Sequence, residues 1–122
     1  MTTKKSPPSI EELTAVIRRF VSERDWEQYH RPSALAVSAA VELGELLELF
    51  QWKTDEEVQS ALSSETYLSA LADEIADVMI YLLRLADVAG INMAEAIAKK
   101  MVKNAEKYPV ERIRGRRPRD VQ

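Results

Sequence analysis

The chain of 122 residues has the length of a single domain, and its 46% hydrophobic residues are enough to bury a core. It contains no cysteine and one histidine, which excludes disulfides, a thiolate zinc site and a multi-histidine metal site. The net charge of −3 hides an asymmetry, because residues 1–98 carry 8 lysines and arginines against 17 acids, whereas residues 99–122 carry 9 against 3. We expect the basic part to be either a solvated tail or a contact for anionic substrate groups, and we favour both over nucleic-acid binding.

The first half of the chain predicts two long helices after a flexible arm at residues 1–8. A capping-box pattern, Ser9 followed by an acid three residues later, begins a helix over about residues 9–29. Pro32 then breaks the chain, and Ser33 is the expected cap of a second helix that continues to about residue 53. Apolar residues cover most of the circumference of this second helix, which predicts that it is buried on the sides away from its acids.

The second half predicts one short and two long helices. The short helix covers about residues 54–62, a long helix covers about residues 65–89, and Asn92 caps the last helix over residues 93–107. No strand alternation is present, so the fold class is all-α, a four-helix bundle over residues 9–109 followed by a basic tail. Two helices that are apolar on nearly all sides need further cover, so we expect a homodimer or larger assembly. Glutamates interrupt the apolar runs, so we expect a soluble, cytoplasmic protein with no membrane partner.

Two acidic patterns stand inside the apolar helices, Glu42 with Glu45 and Glu74 with Asp77. In each pattern the carboxylates are three residues apart, so on a helix they lie about 60° apart on one face. Charged groups are seldom buried unless they are paired or bind metal, so the repeat predicts two helices that face each other across a cation. The alternative is four solvent-facing acids. Gly44, between two of them, indicates close approach by another backbone or a ligand.

Carboxylates without histidine or cysteine select a hard cation, which favours Mg²⁺, with Mn²⁺ as a possible substitute. Such an ion points to phosphoryl chemistry, in which Lys100 and Lys107 either bind phosphate or form a solvated helix face. Trp26 and Trp52 are either core residues or a stacking surface for a base. A di-iron pattern that ends at His30 lacks its second half, so we treat that match as chance.

Four stretches together resemble the MazG-like all-α nucleoside triphosphate pyrophosphatase superfamily, most closely its dCTP pyrophosphatase branch. They are ERDWEQYH at 23–30, ELGELLELFQWK at 42–53, DEIADVMIYL at 73–82 and KMVKNAEKYP at 100–109. The resemblance implies that a nucleoside triphosphate is cleaved between its α and β phosphates to give a monophosphate and pyrophosphate. Such an enzyme removes unwanted or modified nucleotides, and its relatives are dimers or tetramers.

The same resemblance implies roles for individual residues. The Mg²⁺ ligands and catalytic acids are Glu42, Glu45, Glu74 and Asp77; the substrate contacts are Trp26, Trp52, Tyr81, Lys100, Asn104 and Lys107. One departure concerns the base, because animal dCTP pyrophosphatases carry a histidine nine residues before the first tryptophan, where this chain has Ile17. The competing interpretations are a non-catalytic helical interaction protein and a phosphoribosyl-ATP pyrophosphohydrolase.

Overall fold

The computed structural model describes residues 6–120, and every regular element in that range is helical. The α-helices are α1 (Ile10–Glu23), α2 (Pro32–Glu48), α3 (Asp55–Ala61), α4 (Glu65–Val88), α5 (Met93–Lys107) and α6 (Val110–Ile113), with 3₁₀ turns at Glu27–Tyr29 and Pro118–Asp120. The predicted all-α class is confirmed. No helix within the described range has the length and apolar character of a bilayer-spanning segment.

The helix starts follow the capping chemistry that the sequence predicts. At α1 the Ser9 hydroxyl accepts a hydrogen bond from the Glu12 N–H at 3.1 Å, and the Glu12 carboxylate accepts one from the Ser9 N–H at 3.2 Å. Thr54 and Glu57 form the same reciprocal pair at α3. The Asn92 side chain caps α5, which begins and ends at the predicted residues. Each pair satisfies backbone N–H groups that have no partner within the first helical turn.

Two helices end earlier than predicted, and a residue in the connection after each takes a left-handed backbone conformation. Asp25 has a φ of 54°, so α1 ends at residue 23 and the rest of the predicted helix is a separate 3₁₀ turn. Trp52 has a φ of 68°, and α2 ends at residue 48 rather than 53. A left-handed residue interrupts a right-handed helix, so both aromatic segments lie in turns.

The predicted Ser33 cap of α2 is also wrong. Pro32 occupies the first helical position, Arg31 is the N-cap, and no side chain caps this end. Proline suits that position because its fixed φ is helical and its missing N–H would have had no partner there. The serine therefore lies inside the first turn.

The packing is centred on α2 and α4, which form the main helix contact, while α1 packs against α4 and α5. The fully buried apolar side chains are few. They belong to α1, α2 and α4 and are Val21, Leu35, Ala39, Leu83 and Ala86. This arrangement sets the two acid-bearing helices side by side.

Much apolar surface remains uncovered in the single chain. Its accessible surface is 10062 Å², whereas a compact monomer of this mass exposes about 6,700 Å². Val37 and Val41 on α2 are 63% and 59% exposed, so the predicted burial of α2 on the sides away from its acids is wrong for one chain, because α4 covers only one side. Apart from its own turn of α2, no atom of residues 6–120 would lie within 4 Å of a Cβ added at Gly44, so no other described segment approaches it closely.

The described parts of the two chain ends differ in local structure. Residues 6–9 precede α1 without helix, and residues 1–5 of the expected flexible arm lie outside the described residues. The expected basic tail at residues 110–122 contains α6 and a 3₁₀ turn, with residues 121–122 outside the described range. In that turn Arg117 Nε lies 2.9 Å from Asp120 Oδ2. The described side chains of the tail are mostly exposed.

Candidate active site

Three of the four predicted metal ligands meet where α2 packs against α4. Glu42, Glu45 and Glu74 each place a carboxylate oxygen so that the three atoms lie within 4.8 Å of one another. Glu42 and Glu45 come from successive turns of α2, and Glu74 reaches them from α4. The contact between the two helices therefore brings the two sequence patterns into one cluster.

The cluster is partly withdrawn from water. The Oε2 atoms of Glu42 and Glu74 are buried and have no hydrogen-bond partner. Burial raises the pKa of Glu42, and the charge of Glu45 beside it raises that pKa further. The pKa of Glu74 is raised for the same two reasons in the same order. Both shifts mean that the surroundings disfavour the ionised carboxylates when no cation is present.

Asp77 lies next to this cluster rather than inside it. It is exposed and falls outside the group of oxygens within 4.8 Å. Its negative charge nevertheless contributes to the raised pKa of both Glu42 and Glu74. Asp73, which the sequence analysis gave no role, also raises the pKa of Glu74. The negative potential thus extends along one face of α4.

The donor set fits a hard divalent cation. Buried carboxylate oxygens without partners, held close to a third carboxylate, are a costly arrangement that a cation would relieve. Among residues 6–120 no histidine joins the group, so the ligands are oxygen atoms only. Glu42 and Glu74 are half-buried, which favours the metal-site interpretation over the alternative of solvent-facing acids.

A cavity of about 110 Å³ lies between α1, the 3₁₀ turn after it, and α4. It brings together Ile17, where the sequence departs from the family at the base, and two of the predicted substrate contacts, Trp26 and Tyr81. Trp26 packs its ring against the edge of Phe20, with centroids 5.8 Å apart and planes at 71°. The remaining lining residues are Phe20, Val21, His30, Ile80 and Arg84.

The cavity and the carboxylates share one helix. Glu74, Asp77 and Tyr81 follow one another at three- and four-residue spacing on α4, so they lie on one face. With a rise of 1.5 Å per residue, Tyr81 is about 6 Å along the axis from Asp77. A molecule with a ring in the cavity would therefore have its other end within reach of the acids.

Four further predicted contacts lie elsewhere in the single chain. Trp52 is 92% exposed in the turn after α2 and does not line the cavity. Lys100 and Lys107 are exposed on α5, where Asn104 is half-buried. Lys107 Nζ stands 5.4 Å from the centroid of the Tyr108 ring. Within residues 6–120 these four belong neither to the cavity lining nor to the carboxylate cluster.

Sequence reasoning missed a polar group at the far side of the cavity. Arg84 is only 8% exposed and donates hydrogen bonds to His30 and Asp87, and Asp87 also accepts two from Arg18. The available signal was a lone arginine inside the apolar run of α4.

A second, open groove of about 310 Å³ lies beyond Asp87, between α1 and the start of α5, and contains none of the predicted site residues.

Fold and site together define an all-helical protein whose two central helices present a shared carboxylate cluster beside a small aromatic cavity. A model of the MazG-like family matches residues 37–117, and the chain belongs to this family. The match begins inside α2 and extends past α6, so it covers both acidic patterns. The resemblance drawn from the four sequence stretches is confirmed.

Named relatives and one solved structure add detail. The chain is 41% identical over 110 residues to dCTP pyrophosphatase 1 of Bos taurus, covering 90% of this chain and 65% of that protein. Identity to dCTP pyrophosphatase 1 of Homo sapiens is 40% over 107 residues, covering 88% and 63%. The chain thus spans less than two thirds of the length of these relatives. A crystal structure of a pyrophosphatase from Archaeoglobus fulgidus is similar with a TM-score of 0.75 and 44% identity, covering 88% of this chain and 99% of that one.

Proposed function

We propose that this protein is a nucleoside triphosphate pyrophosphohydrolase that converts dCTP, or a modified dCTP, to dCMP and pyrophosphate and so clears the nucleotide pool. The observation that carries the proposal is the cluster of Glu42, Glu45 and Glu74, whose buried unpartnered oxygens call for a cation beside a ring-sized cavity. The names of its relatives support the same reaction class.

The residues would act as follows. Glu42, Glu45 and Glu74, with Asp77 beside them, hold Mg²⁺, for which Mn²⁺ substitutes, since the donors are all oxygen. When bound, the ion supplies positive charge that offsets the charge on the phosphate oxygens. A carboxylate of this group accepts a proton from the attacking water, whose oxygen forms a bond to the α phosphorus. The bond between the α phosphorus and the α–β bridging oxygen breaks, and pyrophosphate leaves with that oxygen.

The base would occupy the cavity at the other end of the site. Trp26 offers an aromatic face, Tyr81 a hydroxyl, and Ile17 an apolar wall. Base stacking on an aromatic side chain contributes about 1–3 kcal/mol. Because Tyr81 follows the acids on α4, a nucleotide lying along this helix would place its phosphates at the carboxylates.

We infer that the site is completed by a second copy of the chain, in a homodimer or homotetramer. The excess surface, 10062 Å² against about 6,700 Å² for a compact monomer, supports this inference. Trp52 and the α5 residues Lys100, Asn104 and Lys107 lie outside the cavity of their own chain, so assembly is the means by which they would reach a bound nucleotide. Exposed valines beside Gly44 offer one face for such packing.

The test is pyrophosphate release from common and modified dNTPs, with phosphoribosyl-ATP included, in the presence and absence of Mg²⁺. We expect Mg²⁺-dependent turnover with dCTP or a modified dCTP preferred. Glu42→Gln and Asp77→Asn should each lose most of the activity, about 100-fold or more, because each removes charge from the cation site. The matched control is Glu95→Gln, which neutralises an exposed acid at the start of α5 and should keep wild-type turnover.

Two results would contradict the proposal. Turnover without any divalent cation would contradict the proposed role of the carboxylates as cation ligands. Wild-type rates in both acid variants would contradict it as well. A protein whose melting temperature does not respond to Mg²⁺ with nucleotide, and which releases no pyrophosphate, would be the non-catalytic helical interaction protein.

A further inference from the structure

A chain of polar contacts runs from the surface of α1 to the cavity. Arg18 donates two hydrogen bonds to Asp87, at 2.9 and 2.7 Å. Arg84, almost completely buried, donates from Nη1 to Asp87 Oδ2 at 3.1 Å. Its Nε donates to Nδ1 of His30, also at 3.1 Å. The histidine belongs to the cavity lining, so the chain of contacts ends at the proposed base site.

The last contact determines which ring nitrogen carries the proton. An arginine has donors only, and its guanidinium does not deprotonate in proteins. Nδ1 of His30 must therefore accept, and the neutral ring carries its hydrogen on Nε2. A carboxylate at the position of Arg84 would instead select the opposite tautomer. Asp87 holds the guanidinium in place from the other side.

The surroundings of the ring also disfavour its protonation. Burial lowers the pKa of His30, and the charge of Arg84 lowers it further. The ionisable groups near the ring are Arg84 itself, Asp87 behind it and Tyr81 on the cavity wall. Asp87 is shared by two arginines, so its negative charge is largely compensated. The acceptor role of Nδ1 and the lowered pKa of His30 both favour the neutral ring, which presents one N–H donor.

That donor matters because the cavity is otherwise apolar on most sides. Ile17, Phe20, Val21 and Ile80 line it with hydrocarbon. Its volume of about 110 Å³ is below the ~150 Å³ of an engineered cavity that holds one benzene ring, so it admits no more than a single ring. A pyrimidine base is one ring with a carbonyl oxygen that accepts a hydrogen bond.

We propose that Arg84 is a positioning residue that holds the His30 ring neutral and protonated on Nε2, so that this N–H donates to a ring carbonyl oxygen of a pyrimidine base in the cavity. The inference rests on the proposed function for the identity of the ligand and deepens it, because it names the residues that select a single-ring base with an acceptor. A base that lacks an acceptor there would leave the buried Nε2–H of His30 without a partner, which costs more than the hydrogen bond itself contributes, so the donor discriminates against such bases.

The tautomer can be observed directly because His30 is the one histidine of the chain. Long-range proton–nitrogen NMR correlations on untagged, ¹⁵N-labelled protein report the proton on each ring nitrogen and the titration midpoint. In the wild type we expect the Nε2–H form alone, with a midpoint below the ordinary value of about 6.5. Arg84→Met should give a mixture of tautomers and a higher midpoint. Its matched control, Arg18→Met, removes an exposed partner of Asp87 but keeps the Arg84 contact, and should leave the tautomer unchanged.

The kinetic arm separates positioning from general damage. Arg84→Met should raise the KM for a pyrimidine triphosphate about tenfold while kcat changes less than about twofold, because the carboxylates are untouched. His30→Phe, which keeps a ring without the donor, should raise KM by a similar factor. Asp87 retains Arg18 when Arg84 is removed, so we expect the variant to fold.

The wild-type spectrum alone can overturn the proposal. An Nδ1–H tautomer, or a midpoint above about 6.5, would contradict the positioning role whether or not any variant folds. An unchanged spectrum in Arg84→Met would contradict it as well. Wild-type protein that cleaves no triphosphate would overturn the proposed function and the base contact with it, whereas the nitrogen spectrum would still decide whether Arg84 sets the tautomer.

Discussion

Glu42 on α2 and Glu74 on α4 each bury one carboxylate oxygen without a hydrogen-bond partner, at the contact between the two central helices. The main helix contact of the chain therefore also holds two carboxylates, and burial and neighbouring negative charge disfavour their ionised forms. Hydrophobic packing of α2 on α4 keeps the acids together despite their repulsion. A cation that binds between them is stabilised by the same negative potential, so metal binding and folding stability are linked.

This linkage predicts how pH and Mg²⁺ act on stability. The pKa values of Glu42 and Glu74 are raised in the folded protein, so the pair favours folding below the unfolded value of 4.5, and that contribution is lost as the pH rises through the raised pKa values. At pH 7 without a divalent cation, Glu42→Gln should therefore have a higher melting temperature than the wild type. Thermal unfolding in the presence of a chelator measures the difference.

Mg²⁺ should reverse that order. A cation at 100 times its dissociation constant adds about 2.7 kcal/mol to the free energy of unfolding of the wild type, and it should add little to Glu42→Gln. Glu95→Gln, at an exposed position on α5, serves as the control and should respond to Mg²⁺ as the wild type does. Equal Mg²⁺ responses in wild type and Glu42→Gln would contradict a cation site at this cluster.

The two tryptophans should differ in their effects on stability but not on substrate binding. Trp26→Ala removes a ring from the cavity and its edge contact with Phe20, so we expect lower stability together with a KM about tenfold higher. Trp52→Ala should raise KM by a similar factor, because we propose that assembly brings Trp52 to the base. Its side chain is 92% exposed in one chain, so the free energy of unfolding should change by no more than about 0.5 kcal/mol. An unchanged KM in Trp52→Ala would leave the base stacked on Trp26 alone.

Assembly should depend on the exposed apolar face of α2. Val41 is 59% exposed, and Val41→Asp would place a charge in a helix interface, so we expect a shift toward monomer in sedimentation or light scattering at micromolar concentration. Val110→Asp is the matched control, since Val110 is 65% exposed on the short helix α6. It should keep the wild-type mass. A wild-type protein that is monomeric at these concentrations would contradict the assembly.

A hydrogen bond from α4 supports the turn that carries Trp52, in addition to the backbone hydrogen bonds of the turn itself. Tyr67 donates its hydroxyl to the Leu49 carbonyl oxygen at 2.8 Å, and its ring meets the edge of Phe50 with centroids 6.4 Å apart. Tyr67→Phe keeps the ring contact and leaves the carbonyl unpaired, so we expect a loss of about 1 kcal/mol in the free energy of unfolding. Denaturant unfolding measures it. Tyr29→Phe, at a ring that is 64% exposed, should be neutral by comparison.

Local chemistry in the sequence was enough to determine the helical class and most helix starts. The Ser9–Glu12 and Thr54–Glu57 pairs act within one turn, and the α5 helix between Asn92 and Lys107 follows from its cap and its periodicity. The two acidic patterns were also legible, because three-residue spacing places side chains on one helix face wherever the helix lies. These features depend on residues a few positions apart.

Tertiary structure alone decided which of those residues meet. Helix packing placed Glu74 with Glu42 and Glu45 and left Asp77 at the margin of the cluster. Both α1 and α2 end earlier than predicted, and a left-handed residue follows each of them. The sequence did not reveal these ends, because an isolated backbone reversal has no periodic signature. The contact of Arg84 with His30 joins positions 54 residues apart, which neither composition nor spacing encodes. Such contacts arise from the angle and depth at which helices pack, and these depend on all the side chains between them.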